Sequence, residues 1–298
     1  MAPGWLERKA PALHKFLTRR DRPWPLVREA LAFLLVVGLL FGALYGLTGQ
    51  PVRGGYPVVV VTTGSMMHCD NYPNSQLGSN CDPANWGRLG AIDPGDLVFV
   101  KRVTDAADIT TRADDEDSHY GRAGDVIVYR RNGDPGQTPV IHRALFWVQV
   151  NDDGTYSVPS LGLDRVTRID SPRVRELTSD SGGCDVTAAF ARQAQDPPGP
   201  ASQLSGFVTR GDNNAVADQC GAWLPARLPW VLGKARAEVP WIGLVNLWWN
   251  DLRLGSNDFG NAGSDSKVMF FVVVAFLVAA PWLIEVAWRR RRRRKDST

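Results

Sequence analysis

Ser65 is the residue of this chain whose type and setting best fit nucleophilic chemistry. It follows Val58–Val61, a run rich in β-branched residues that is bounded by Pro57 and Gly64 and predicts a short buried strand. The glycine directly before the serine lets the backbone turn, so a rigid strand can hold the hydroxyl in one place and aim it outward. Many serines simply end a strand, so a catalytic serine here needs a base and an acid from elsewhere in the chain.

His142 is the best candidate for the base that takes the serine proton. It lies inside the predicted strand Val140–Phe146, and an unperturbed imidazole titrates near neutral pH. His119 lies in an acidic loop and His68 in an apparent insertion, so both are poorer candidates for a rigid base. The alternative for His142 is a packed strand histidine bonded to the backbone.

Two aspartates and two oxyanion donors could complete a serine hydrolase site. Asp212 or Asp218, both in an Asx-rich turn, could accept a hydrogen bond from the imidazole, or could instead cap the turn. The backbone N–H of Ser65 and the hydroxyl of Thr63 could donate to the developing oxyanion. This chemistry needs no cofactor and no metal, and we expect neither.

Short strands separated by turn motifs dominate the middle of the chain, so we predict a mainly β domain, built as a folded sheet or partial barrel. The polar stretch Ser160–Ser205 predicts only loop or insertion. Asn151–Gly154 is typical of a hairpin turn. Further strands are expected at Leu97–Val100, Val126–Tyr129, Val140–Phe146 and Gly206–Thr209, with one or two more within Val231–Val245.

Two apolar runs predict membrane helices. Ala30–Leu47 contains 18 residues without a charge, and we expect an uncleaved anchor there. A cleaved signal peptide is the alternative, but the leader and the apolar run are both long for one. Val268–Ile284 is shorter and contains Pro281, and it reaches full length if the span extends past Glu285 to Trp288.

Basic residues at both ends predict cytoplasmic tails, with the middle of the chain outside. Residues 30–266 carry a net charge of about −7, so the basicity belongs to the tails. A basic block beside an apolar span more often fixes topology than binds nucleic acid, so no nucleic-acid partner is expected. The predicted organisation is a cytoplasmic basic leader (1–28), transmembrane helix 1 (29–49), an extracytoplasmic catalytic domain (50–266), transmembrane helix 2 (267–288) and a cytoplasmic basic tail (289–298).

All four cysteines fall in the segment predicted to lie outside, where disulfides are stable. Three pairings are possible, and Cys69–Cys81 with Cys184–Cys220 is preferred because the first pair closes a local loop. Zinc binding is the alternative. The chain has no Cys-x-x-Cys pair, and His68 is the only histidine near these cysteines, so a metal is not expected.

A series of ordered motifs resembles type I signal peptidases, in particular their archaeal and endoplasmic-reticulum branch. The resemblance covers roughly 110 residues spread over the predicted outer domain, and the order of the motifs is more specific than any one of them. They read Thr-Gly-Ser65-Met, Pro-Gly-Asp-Leu-Val-Phe-Val, Gly-Asp-Val-Ile-Val-Tyr, Val-Ile-His142-Arg, Thr-Arg-Gly-Asp212-Asn-Asn-Ala-Val-Ala-Asp218, Gly233-Lys-Ala-Arg and Val239-Pro-Trp-Ile-Gly.

The resemblance implies a Ser-His-Asp mechanism, because His142 stands where most bacterial relatives carry lysine. It implies Ser65 as nucleophile, His142 as base, Asp218 as the orienting acid and Asp212 as a supporting residue. Thr63 replaces the first serine of the family motif and keeps its hydroxyl. The family's proline-containing exit is absent after Ser65, which changes the rim of the site.

The predicted function is that of signal peptidase I, a membrane-bound serine endopeptidase that removes signal peptides from exported preproteins by acyl-enzyme chemistry. Its partners would be signal peptides and the lipid bilayer. We expect a multi-pass protein of the cell membrane, or of the endoplasmic reticulum membrane in a eukaryote, with the catalytic domain extracytoplasmic. The alternatives are a membrane protease of the same fold that processes other surface proteins, and a catalytically inert, membrane-tethered binding domain. Intact Ser65, His142 and Asp218 argue against the inert domain.

Overall fold

The computed structural model describes residues 24–51, 53, 55–68, 91–114, 118–182, 184–194 and 201–295. Within these ranges the strands are β1 (Val58–Val60), β2 (Leu97–Lys101), β3 (Ser118–His119), β4 (Arg122–Ala123), β5 (Val126–Tyr129), β6 (Val140–Val150), β7 (Tyr156–Val158), β8 (Leu163–Val166), β9 (Gly206–Arg210) and β10 (Val231–Val239). The helices are α1 (Trp24–Thr48), α2 (Pro172–Thr178), α3 (Thr187–Gln193), α4 (Ala201–Leu204), α5 (Leu244–Leu254) and α6 (Ser264–Lys295).

Most strands join one antiparallel sheet, so the predicted mainly β class is confirmed. Its strand order is β1-β2-β10-β5-β6-β7-β8, and β9 also pairs with β6. Strands β3 and β4 form a separate hairpin. The predicted strands at β2, β5, β6 and β9 are present, and their ends differ from the predicted ends by a few residues at most. The predicted Asn151–Gly154 turn joins β6 to β7.

Strand register decides which side chains of β5, β6 and β9 meet. Ile127 of β5 and Thr209 of β9 lie opposite His142 and Ala144 of β6, respectively. Because side chains alternate between the two faces of a sheet, Tyr129, His142 and Thr209 share one face. Arg143 lies on the other face. His142 and Arg143, although adjacent in β6, therefore lie on opposite faces of the sheet.

Two predictions of local structure need correction. The predicted buried strand Val58–Val61 is shorter, since β1 covers Val58–Val60; these residues are half-buried and lie at the sheet edge because β1 pairs only with β2, whereas Val61 is buried. The stretch Ser160–Ser205 is not only loop, since it contains β8 and the short helices α2, α3 and α4. Of the one or two strands predicted within Val231–Val245, one is present, β10, and it is followed by the start of α5, whose Leu244 and Leu247 pack in a buried cluster.

Helix α1 is fixed to the sheet directly after its last turn. The Gln50 side chain donates to the carbonyls of Val100 (2.8 Å) and Leu232 (3.2 Å), on β2 and β10. The amide of Arg102 donates to the carbonyl of Thr48 at 2.8 Å. Because these bonds come from both sides of the joint, the end of α1 has a defined position relative to the sheet.

Among the described residues, one helix segment is long and apolar enough to cross a membrane. This segment, Val27–Thr48, lies in α1, and its length and composition fit a membrane span or a signal sequence. The apolar part of α6 is Ser266–Ala280, which is shorter. The second predicted span is therefore not established.

Cys184 and Cys220 form a disulfide with their Cα atoms 5.3 Å apart, so this part of the preferred pairing is confirmed. The predicted Cys69–Cys81 pair lies outside the described residues. The disulfide joins two segments 36 positions apart in the sequence.

Gly124 stands where a side chain would meet both backbone strain and a steric clash. Its φ is +85°, and a Cβ atom would lie 2.5 Å from the Arg112 backbone nitrogen. Gly154, in the β6–β7 turn, has a similar φ of +80° but nothing within 4 Å of the Cβ position. An added side chain would therefore meet the same backbone strain at both positions, but it would clash with a neighbouring segment only at position 124.

We expect Gly124→Ala to destabilise the protein more than Gly154→Ala. The left-handed backbone should cost each variant about 1–2 kcal/mol. The clash should add about 1–3 kcal/mol at position 124 only. Urea unfolding of the full chain in detergent micelles measures both. Equal losses in the two variants would mean that the Arg112 segment moves away freely.

Candidate active site

Ser65, His142 and Asp218 form a chain of hydrogen bonds. His142 Nε2 lies 3.0 Å from Ser65 Oγ, and His142 Nδ1 lies 2.7 Å from Asp218 Oδ2. The side chains of His142 and Asp218 are 5% and 4% exposed, whereas Ser65 is half-buried. Serine is thus the member of the set that a substrate can reach.

The hydrogen-bond chemistry fixes the tautomer of His142. A carboxylate oxygen accepts, so Nδ1 carries the proton and donates it to Asp218. In the neutral ring Nε2 then keeps its lone pair and accepts from the Ser65 hydroxyl. The imidazole is therefore oriented to take the serine proton.

The Asp218 carboxylate is held by two further hydroxyl groups. Tyr129 Oη donates to Asp218 Oδ2 at 2.8 Å, and Thr209 Oγ1 donates to the same oxygen at 2.6 Å. Burial, together with the charge of Asp218, raises the pKa of the Tyr129 phenol well above its ordinary value, so the phenol remains a donor. With His142, three donors converge on one carboxylate oxygen, which fixes the acid.

Ser65 lies in a tight turn, Gly64–Met66, that the 211–213 segment supports from behind. The Asn213 backbone N–H donates to the Ser65 carbonyl (2.8 Å), and its side-chain amide donates to the Gly64 carbonyl (3.1 Å). A Cβ atom at Gly211 would lie 2.6 Å from the Ser65 carbonyl oxygen. Only glycine permits this approach, so the serine backbone is positioned by the turn that leads to Asp218.

Asp212 lies at the start of the same turn and pairs with Arg143. Arg143 Nε donates to Asp212 Oδ1 at 2.8 Å and Nη2 donates to Oδ2 at 2.6 Å, with both side chains at most 2% exposed. His68 Nε2 also donates to Oδ2, at 2.7 Å. Burial alone would raise the pKa of the Asp212 carboxyl, but the hydrogen bonds and charges of Arg143 and His68 lower it well below its usual range.

The predicted oxyanion donors lie on either side of Gly64. The Ser65 N–H is in the first turn of a 3₁₀ helix, where backbone donors have no acceptor within the helix. Thr63 is exposed, with an extended backbone, and its hydroxyl makes no capping bond to the described turn. Both groups are therefore available at the mouth of the site, and their role remains a prediction.

Trp223 flanks the base. Its indole stacks on the His142 ring with 6.1 Å between centroids and 10° between planes. The Arg131 guanidinium lies 5.1 Å from the Trp223 ring centroid. This stack limits movement of the imidazole away from the serine.

Of the other histidines predicted as poorer bases, His68 bonds to Asp212, and His119 lies in the short strand β3. Within the described ranges, no group of three or more His, Cys, Asp or Glu side chains is arranged to hold a metal ion. The set of groups at Ser65 is that of proton transfer and nucleophilic attack.

Several residues of the site were not selected from the sequence: Tyr129, Arg143, Thr209, Gly211, Asn213 and Trp223. Most of them lie inside the same sequence motifs as Ser65, His142 and Asp218. This closeness in the sequence was the only signal that could have pointed to them. Their partners depend on strand register and long-range contacts, which local patterns do not specify.

Comparison of the sequence with models of known protein families gives no match, and comparison with curated proteins also gives none. The functional argument therefore rests on the geometry of the site and on the sequence motifs described above.

We expect Asp212→Asn to destabilise the protein strongly at neutral pH. Removal of one charge from a buried pair leaves Arg143 uncompensated, at a cost of about 3–5 kcal/mol. The lowered pKa means that the native protein has this stabilisation above the ordinary value of 3.8 and loses it as the pH falls below that value. Urea unfolding at about pH 7 and about pH 3 should show a smaller pH dependence in the variant.

Asp170 provides the matched control for this change. It accepts from Arg175 Nε and Nη2 at 2.7 Å each, but that pair is exposed. Asp170→Asn should change stability little, because solvent screens exposed pairs. Similar losses in the two variants would contradict a special role for the buried pair.

Proposed function

We propose that this protein is a membrane-anchored serine endopeptidase that removes signal peptides from exported preproteins. The observation that carries the proposal is the continuous hydrogen-bond chain from Ser65 Oγ through His142 to a carboxylate held by Tyr129 and Thr209. An inert binding domain would have no need of a buried acid aligned with the second nitrogen of the imidazole. The motif resemblance supplies the substrate class.

The proposed reaction has two halves. Ser65 Oγ attacks the scissile carbonyl carbon while its proton moves to His142 Nε2, and Asp218 stabilises the imidazolium through Nδ1. The tetrahedral intermediate expels the amine, which takes the proton from Nε2, and leaves an acyl ester on Ser65. Water then attacks the ester with the same base, which releases the signal peptide carboxylate and restores the serine.

The Ser65 N–H and the Thr63 hydroxyl are the proposed oxyanion donors. Each such donor typically lowers the barrier by about 3–4 kcal/mol when it points at the developing charge. A tight 3₁₀ turn beginning directly at Gly64 supports this role, because it leaves the serine amide directed away from the turn.

A membrane location would bring the proposed substrate close to the site. With α1 as an anchor, the site is held close to the bilayer from which a preprotein presents the end of its own apolar segment, so the effective concentration is high. The Gln50 joint supports this arrangement, because it fixes the end of the apolar helix to β2 and β10. A signal sequence in α1 would remove the anchor.

Helix α5 supports a domain that rests on the membrane surface. Its buried face, Leu244 and Leu247, packs with Val60 of β1 and Phe270 of α6. Its other face presents large apolar side chains to solvent: Val245, Trp248, Trp249 and Leu252. Tryptophan and leucine on one face of a surface helix suit the lipid interface. Helix α6, which packs against the buried face of α5 through Phe270, also exposes apolar side chains.

The second span and the multi-pass topology complete the proposal. Ser266–Ala280 is followed by residues 281–288, which are apolar except for Glu285, and then by the basic run Arg289–Lys295. A basic block at this point favours a cytoplasmic end. The catalytic sheet would then lie outside the cytoplasm, where the Cys184–Cys220 disulfide is stable.

We expect Ser65→Ala and His142→Ala each to lower cleavage of a purified preprotein by several orders of magnitude, because members of such a set act as a unit. Asp218→Asn should lower it by about 10⁴-fold through loss of imidazole orientation. Mass spectrometry of the new N-terminus measures the reaction. A preprotein and a surface protein without a signal peptide, compared as substrates, separate signal peptide removal from general surface processing.

His68→Ala is the control for base assignment. It removes a histidine that bonds to Asp212 but leaves the Ser65–His142 contact, so cleavage should fall far less. Circular dichroism should show that all variants fold. Full cleavage by Ser65→Ala would refute the proposed nucleophile, and equal losses in folded His68→Ala and His142→Ala would refute the proposed base.

We expect trypsin added to sealed, right-side-out vesicles to digest the sheet domain and spare an epitope placed after Thr298. The two proposed spans put Arg289–Lys295 on the inner side, although this run is very sensitive to trypsin. Detergent should expose it. Loss of the epitope in sealed vesicles would show that α6 does not cross the bilayer.

A further inference from the structure

The disulfide lies next to the acid of the candidate site. Cys220 is the last residue of the 3₁₀ turn Asp218–Cys220, and the acid is the first. The turn is closed by the Gly221 N–H, which donates to the Asp218 carbonyl at 3.2 Å. A displacement of Cys220 would therefore be transmitted to Asp218 through a single turn of backbone.

The opposite end of the disulfide is anchored in the core. Cys184 precedes α3, and both cysteines pack against the buried cluster that contains Val186 and Phe190, side chains that are at most 2% exposed. Cys184 thus connects the turn to a fixed body. This gives a role to the long 160–205 stretch, which carries α3 into contact with the acid-bearing turn.

Hydrogen bonds also support the turn at both ends, and at its far end Arg192 Nη2 of α3 donates to the Gly221 carbonyl at 2.7 Å. The Ala217 N–H donates to the Thr178 carbonyl at 2.7 Å, and Gln219 Oε1 accepts from the Thr209 N–H at 2.8 Å. Gln219 Nε2 reaches the Leu224 carbonyl only at 3.3 Å. Cys220 adds the covalent support at the end of the turn that faces solvent.

Small displacements of this turn would matter because all donors meet at one atom. His142, Tyr129 and Thr209 share Asp218 Oδ2, at distances of 2.6–2.8 Å. A shift of the turn that preserves the bonds from Tyr129 and Thr209 can still rotate the oxygen away from His142 Nδ1. The disulfide restricts that movement by removing conformational freedom from the turn.

We propose that Cys184 and Cys220 are positioning residues for His142, acting through Asp218, and that full activity requires their oxidised form. This inference rests on the proposed function. Formation of the bond removes two electrons and two protons from the two thiols, which pass to a disulfide-bearing oxidant that becomes a dithiol. The enzyme would then reach full activity only in an oxidising compartment.

The test is a double-mutant cycle between the disulfide and the acid. In the native background Cys184→Ser/Cys220→Ser should lower kcat by about 10²-fold with little change in KM, because a small misplacement of a catalytic group has that effect. In the Asp218→Asn background the same pair of changes should have almost no further effect. An equal loss in both backgrounds, or no loss in the first, would overturn the proposal.

Val158→Ala is the stability control. Val158 is fully buried in the same cluster as Phe190 but lies on β7, outside the Asp218–Cys220 turn, so its truncation should lower the melting temperature without moving Asp218. Its kcat should match that of the native chain at a temperature where both are folded. A kcat loss as large as that of the double serine variant would mean that the disulfide acts through general stability.

A second readout does not depend on peptidase activity. The His142 Nδ1 proton, bonded to Asp218, should give a downfield proton NMR resonance that is absent in His142→Ala. That resonance should be lost or broadened in Cys184→Ser/Cys220→Ser and kept in Val158→Ala. If the double serine variant loses this resonance and the native chain cleaves no preprotein, the positioning role is supported although the proposed function fails. Its persistence in the serine variant would overturn the positioning role.

Reduction of the native chain covers the case in which the serine variant does not fold. A dithiol reagent opens the bond by taking the cyclic disulfide form itself, and alkylation of Cys220 followed by mass mapping reports the extent. The resonance should disappear in proportion to Cys220 alkylation while the circular dichroism spectrum is kept. A resonance that stays after complete alkylation of a folded chain would also overturn the proposal.

Discussion

The site depends on the alternation of side chains along β6. His142 and Arg143 are neighbours on this strand, so they face opposite sides of the sheet. Each meets an aspartate of one turn, His142 with Asp218 and Arg143 with Asp212. The turn therefore passes around the end of β9 and holds both faces. The buried Arg143–Asp212 pair fixes its start, since separation of two buried charges is strongly unfavourable.

Much of the fold follows from local sequence patterns. The β-branched runs at β2, β5, β6 and β9, with turns rich in glycine, proline and aspartate between them, predicted the strands of the sheet. The helices of 160–205 were missed because α2 and α3 have only seven residues each, too few for a clear helical period. Such helices form because side chains such as Leu177 and Phe190 are buried by the sheet, and that is a tertiary effect.

The sequence predicted some residues of the candidate site and missed others. Ser65 and His142 could be selected because few residue types take or hold a proton at neutral pH, whereas the choice of Asp218 over Asp212 came from the motif resemblance. The structure places Ser65, His142 and Asp218 in contact. The contacts of Tyr129 and Thr209 could not, because they follow from the pairing of β5 and β9 with β6. Asp212 was expected as a support, but its partner Arg143 emerged only from the packing of the opposite face.

The joint at Gln50 ties the end of α1 to the sheet. Because the helix end is bonded to β2 and β10, these bonds restrict the height of Ser65 above the last apolar turn. If α1 lies in a bilayer and the proposed peptidase activity holds, the site would reach only peptide bonds within a narrow range of heights above the hydrocarbon. Membrane thickness and helix tilt would then influence which bond is cut, alongside the side chains that flank it.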